Sequence, residues 1–86
     1  MGNRGIVACK VIADDGLDIL DAPNGKYKGH YDYGNIIRTI EPNSKRPAND
    51  GKVYVCYTVG GHAGKKLWVA CEDENGNDTL EPLPDY

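Results

Sequence analysis

Between Leu17 and Ile40 the chain reads LDILDAPNGKYKGHYDYGNIIRTI, two short apolar strands wrapped around turn signals, with no room for a helix. Leu17 and Ile19 alternate with Asp18, which puts the two aliphatic groups on one face of a strand and the carboxylate on the other. Pro23-Asn24-Gly25 follows. Asn-Gly is the pair best able to take positive φ at both central turn positions, so a tight reversal is expected before Lys26 to Tyr31. Gly34 then punctuates the chain, and Ile36, Ile37, Thr39 and Ile40 make a strand dense in β-branched groups that Pro42 ends.

The same grammar holds elsewhere. Eleven glycines and five prolines are spread through 86 residues, and no window of ten or more residues carries apolar groups at the i, i+3, i+4, i+7 spacing of an amphipathic helix. Ile6 to Ala13 reads as a strand that ends at Asp14-Asp15-Gly16. Pro42 to Gly51, with two prolines and almost no apolar side chain, reads as a long surface loop and the most mobile interior segment. Lys52 to Val59, KVYVCYTV, is the strongest strand candidate, and Gly60 to Gly64 turns it back into Lys66 to Glu72. Asn75-Gly76 offers a second tight hairpin leading to a last strand, Thr79 to Leu83. The expectation is an all-β single domain spanning residues 1–86, a small barrel of about five to seven short antiparallel strands. A domain of this size buries only about 60% of its unfolded surface, so the core must be thin.

With those strands placed, the sequence resembles bacterial SH3-type domains from Val11 to Leu83. The residues that carry the resemblance are Leu17-Asp18-Ile19-Leu20-Asp21-Ala22-Pro23, then Tyr27-Lys28-Gly29-His30-Tyr31 with Gly34, then Ile36 to Ile40, Val53 to Tyr57, and Leu67-Trp68-Val69. Leu20 and Asp21 stand where the family usually has Arg-Ser, and the Pro42 to Gly51 loop is longer than its usual counterpart. The resemblance implies an SH3-like barrel without catalytic activity that holds a protein or peptide, in many members a cell-wall peptide.

Six tyrosines and one tryptophan with no phenylalanine point the same way, because a purely buried core favours Phe whereas binding surfaces use amphipathic Tyr and Trp. Tyr27, Tyr31, Tyr33 and Tyr54 are the candidate ligand-binding residues. Tyr54 and Tyr57 differ in parity, so one is expected to face the core and the other outward. The plainer alternative has the tyrosines covering a thin core with their hydroxyls in water. Trp68 reads as structural.

Charge is distributed unevenly. Residues 1–70 hold ten basic and seven acidic groups, while residues 71–86 hold six acids and no base, within a net charge of −3. The acidic residues Glu72, Asp73, Glu74, Asp78, Glu81 and Asp85 form the alternative partner-binding set: a small inhibitor, of the kind phages and mobile elements encode, that blocks a basic, nucleic-acid-binding partner. Direct nucleic-acid binding is not expected, since only Lys45/Arg46 and Lys65/Lys66 sit side by side.

Three cysteines, Cys9, Cys56 and Cys71, each lie in an apolar run and read as buried thiols; with His30 and His62 they match no zinc-ligand spacing. The segment from Val59 to Lys66 fails as a phosphate-binding loop because Val59 occupies the first glycine position and Lys66 the hydroxyl position. Asp73, Asn75 and Asn77 match the opening of a calcium loop, yet Asp78 and Pro84 occupy its glycine and glutamate positions. No cofactor, no metal and no enzymatic activity are expected. No apolar run approaches the roughly 20 residues of a membrane span, and MGNRGIVACK lacks the apolar centre of a secretory signal. The chain as it stands is expected in the cytoplasm, or exported if it belongs to a cell-wall protein.

Overall fold

The structure, a computed structural model, describes residues 7–58 and 65–84. Among these residues the chain is all-β: β1 (Val7–Val11), β2 (Leu17–Leu20), β3 (Tyr27–Tyr31), β4 (Ile36–Ile40), β5 (Arg46–Pro47), β6 (Val53–Thr58), β7 (Lys66–Glu72) and β8 (Leu80–Pro82). All pair antiparallel in one sheet, ordered β3-β2-β7-β6-β4-β1-β8, with β5 beside β6. The sheet curls into a small barrel. Its seam is made where Glu72 bridges Asp78, the Thr79 N–H donates to the Cys71 carbonyl, and the Ile12 N–H donates to the Thr79 carbonyl. Thr79 is itself buried, its hydroxyl donating to the Ala70 carbonyl. This contact ties the β8 end to β7, while β3 stands at the other end of the sheet order.

The inward positions follow alternation on β1, β6 and β7, while on β4 a register irregularity between the Val7↔Ile40 and Cys9↔Ile37 pairs turns both Ile37 and Ile40 inward. Val11, Val55 and Val69 are wholly enclosed, and Leu17, Ile37, Ile40, Tyr57 and Leu80 complete the cluster with Cys9. Each aliphatic side chain enclosed in this way contributes about 1.5–3 kcal/mol relative to exposure. Ile19, Leu67 and Cys71 pack on the cluster from partly buried positions.

Strand number and turn chemistry depart from expectation. Among the described residues there are eight strands rather than five to seven, because the Pro42 to Gly51 segment is built rather than loose. It holds a 3₁₀ turn, Pro42–Ser44, then β5, paired to β6 through Arg46↔Tyr54 and Pro47↔Val53. Ser44 ties the turn down, its Oγ accepting the Cys56 N–H at 2.9 Å and donating to the Glu41 carbonyl at 2.7 Å.

In both tight turns the Asn-Gly pair sits one place later than expected. Pro23, whose ring fixes φ, takes the first central position of the 22–25 turn, so Asn24 takes the second at φ 55. Gly25 then serves close approach: a Cβ there would lie 2.5 Å from Asp21 Oδ1. In the second turn the Gly76 N–H donates to the Asp73 carbonyl, and Gly76 is left-handed at φ 82. Asp73 Oδ1 accepts from the Asn75 and Asn77 N–H groups, an aspartate-closed turn that accounts for three residues of the failed calcium pattern.

Candidate functional site

The outward face of β2, β7 and β6 follows from register. Leu20 lies opposite Tyr27 on one side and Trp68 on the other, and Trp68 lies opposite Cys56. Partners across a ladder share a face, so Tyr27, Leu20, Trp68 and Cys56 form one apolar row crossing four strands. A second row runs beside it: His30 opposite Asp18, Ala70 opposite Tyr54, and Tyr54 opposite Arg46. Asp18 and Ala70, two residues along from the Leu20↔Trp68 pair, line a common recess of about 310 Å³ with Leu20, His30, Lys52 and Tyr54. Ala70 is its shallow floor, the one small side chain in the row.

The four candidate tyrosines do not share this face. Tyr27 points outward only because a bulge between Ile19 and Leu20 leaves Lys28 as the extra residue; without it, strict alternation from Gly29 would turn Tyr27 inward. Tyr27 is 63% exposed and Tyr33 57% exposed. Tyr33 stands elsewhere, on the β3–β4 turn with the Lys10 Nζ 6.0 Å from its ring centroid. Tyr31 turns inward opposite Leu17, its ring tilted against Tyr57 with centroids 5.8 Å apart. Tyr54 is 3% exposed and so is Tyr57, which corrects both the surface role given to Tyr54 and the expectation that one of the pair faces solvent. Tyr57 is enclosed by the core, while Tyr54, on the opposite face, is covered by the β5 segment, its hydroxyl donating to Asp50 Oδ2. Burial, then the neighbouring Asp50 carboxylate, pushes the Tyr54 phenol upward. Trp68, read as structural, is half-buried in the centre of the outer row; strict alternation around Val69 would have placed it there.

The acidic set divides. Asp73, Glu74 and Asp78 border a groove of about 440 Å³ together with Asp14 and Asp15 from the β1–β2 turn. Those last two come from the other end of the sequence. The groove meets the Ala70 recess at Asp15, Gly16, Leu17, Lys52 and Ala70, so acidic end and apolar row form one continuous surface. Glu72 is half-buried at the seam, Glu81 stands on β8 opposite Lys10, and Asp85, like the 59–64 segment with His62, falls outside the described residues.

His30 closes one side of the recess. Its Nδ1–H donates to Asp18 Oδ1 at 3.0 Å, Nε2 lies 3.8 Å from Asp32 Oδ1, and the Asp15 backbone also accepts from it. These acceptors, Asp18 foremost, raise its pKa above the ordinary 6.5. A raised folded value means that the charged ring supports the fold fully below pH 6.5 and that this support fades as pH rises through the folded midpoint. An NMR titration of the His30 ring should give a midpoint above 6.5, and a midpoint at or below it would remove the argument.

The thiols are placed for packing. Cys9 and Cys56 are buried and Cys71 is half-buried; Cys9 and Cys71 border an apolar recess of about 230 Å³ at the seam. Burial pushes both upward, reinforced for Cys9 by Cys71 and opposed for Cys71 by Lys45, so the nucleophilic thiolate is disfavoured. Among the described residues no three His, Cys, Asp or Glu side chains are grouped to hold a metal ion, and no helix is long and apolar enough to cross a membrane. No family model, no curated protein and no solved structure matches the chain.

Proposed function

We propose that this chain is a non-catalytic, SH3-like binding module that engages a peptide or protein on the outward face of β3, β2 and β7. The reading is carried by the Tyr27–Leu20–Trp68 row, in which the register aligns side chains from three adjacent strands beside a recess. Tyr and Trp anchors seated in well-packed pockets are what protein recognition uses for most of its energy. Of the tyrosines first considered, Tyr27 belongs to this face; Tyr33 would serve a separate contact beside Lys10. The module reading is tested by titrating labelled protein with purified peptidoglycan fragments and with a panel of short peptides. Tyr27→Ala should weaken whatever binds by about tenfold, equivalent to about 1.4 kcal/mol. An unchanged affinity in that variant would argue against the row.

A second reading, the inhibitor of a basic, nucleic-acid-binding partner, is favoured by the gathering of Asp14, Asp15, Asp73, Glu74 and Asp78 around one groove. Under it, binding would fall steeply with salt.

A further inference from the structure

We propose that the Ala70 recess receives a single arginine or lysine side chain from an extended peptide segment, whose neighbouring apolar side chains lie along Leu20, Trp68 and Tyr27. This rests on the module reading above and names the occupant of that face.

Shape comes first. Ala70 sits between Asp18 and Tyr54 in a row of larger groups, so the surface dips there. The dip opens at one side onto aliphatic and aromatic surface, and at the other onto the carboxylate-bordered groove. A long side chain with an apolar stem and a charged head matches that division, stem against Leu20 and head toward the acids.

Charge then selects the sign. Asp18 is 61% exposed at its side chain and pairs with His30. Lys52 lines the recess together with Asp15, Asp18 and His30, and against this base the adjoining groove adds Asp14, Asp73, Glu74 and Asp78, so recess and groove together carry an excess of carboxylates. His30 does not reverse the balance, because it is held by Asp15, Asp18 and Asp32 together. An anionic or phosphate-bearing occupant would meet like charge from both turns. A purely apolar one would leave the carboxylates beside it partly desolvated without a partner, which costs more than it gains.

Dimension sets the length. Adjacent strands are about 4.8 Å apart, so the row from Tyr27 on β3 to Trp68 on β7 spans about 10 Å, the reach of roughly three extended residues.

The test uses three synthetic peptides on the full chain, followed by amide and indole NMR shifts at millimolar concentration. One carries Arg followed by two Leu, one has Glu in place of Arg, and one has Ser in place of both Leu. The first should shift Asp18, Leu20, Ala70 and the Trp68 indole, and weaken several-fold with added salt; the second should not bind, and the third should bind at least several-fold more weakly. Asp18→Asn should reduce affinity for the first peptide several-fold while keeping native spectral dispersion, and Asp15→Asn serves the same purpose if that variant misfolds. Equal binding of the Glu peptide, shifts confined to another face, or no binding of the Arg peptide overturns the inference. If the Arg peptide fails while peptidoglycan fragments or other peptides still perturb this face, the module reading stands alone; if nothing perturbs it, both fall.

Discussion

Replacing Gly16 with alanine should cost about 3–5 kcal/mol and leave the protein largely unfolded at moderate temperature. Gly16 ends the β1–β2 turn at φ 77, with its N–H donating to the Ala13 carbonyl. A side chain there is strained before it touches anything, since the left-handed region crowds Cβ against the following carbonyl. It also has nowhere to go: the added Cβ would lie 2.1 Å from the Tyr31 carbonyl oxygen and 2.6 Å from His30 Nε2. The first of these is backbone and cannot swing aside. Gly34→Ala separates the two effects, because Gly34 has φ 91 but nothing within 4 Å of the place its methyl group would take; it should lose only the conformational part, about 1–2 kcal/mol. Urea unfolding of the two variants measures both, and equal losses would show that strain, not the close approach, governs Gly16.

Tyr57→Ala is the second large effect, about 3–5 kcal/mol by the scale of buried aromatic truncations. The ring lies in the core cluster on β6, tilted against Tyr31 from the β2–β3 hairpin. Removing it opens a cavity and detaches the hairpin from its inner support. Tyr57→Phe keeps the ring and should cost far less, so the difference between the two variants isolates packing from the hydroxyl. A midpoint in the alanine variant close to that of the phenylalanine variant would place the ring's contribution elsewhere.

These two sites also show what was legible in the amino-acid string. The strands were readable because β-branched residues and alternation act locally: Val11, Ile37, Val55 and Val69 lie inward as their neighbours require. Turns were readable as positions but not as geometry, since Pro23 and Asp73 each claim a place that displaces Asn-Gly by one residue. The candidate site was less legible, for reasons of distance along the chain. Tyr27 depends on a bulge that exists only in the pairing with β2. Tyr54 depends on a segment whose composition reads as loop but which β6 recruits as a strand. The carboxylates of Asp14 and Asp15 join those of Asp73 and Glu74 only after the seam closes.

That seam has a consequence for biosynthesis. β1 lies between β4 and β8, and Val11 pairs with Leu80, so almost the whole chain separates two strands that must touch. Contacts of such long sequence separation bring their reward late and slow the search. While the ribosome is still extending the polypeptide toward Leu80, one hydrogen-bonding edge of β1 has no neighbour, and the nascent domain must wait, partly open, for β8 to leave the exit tunnel.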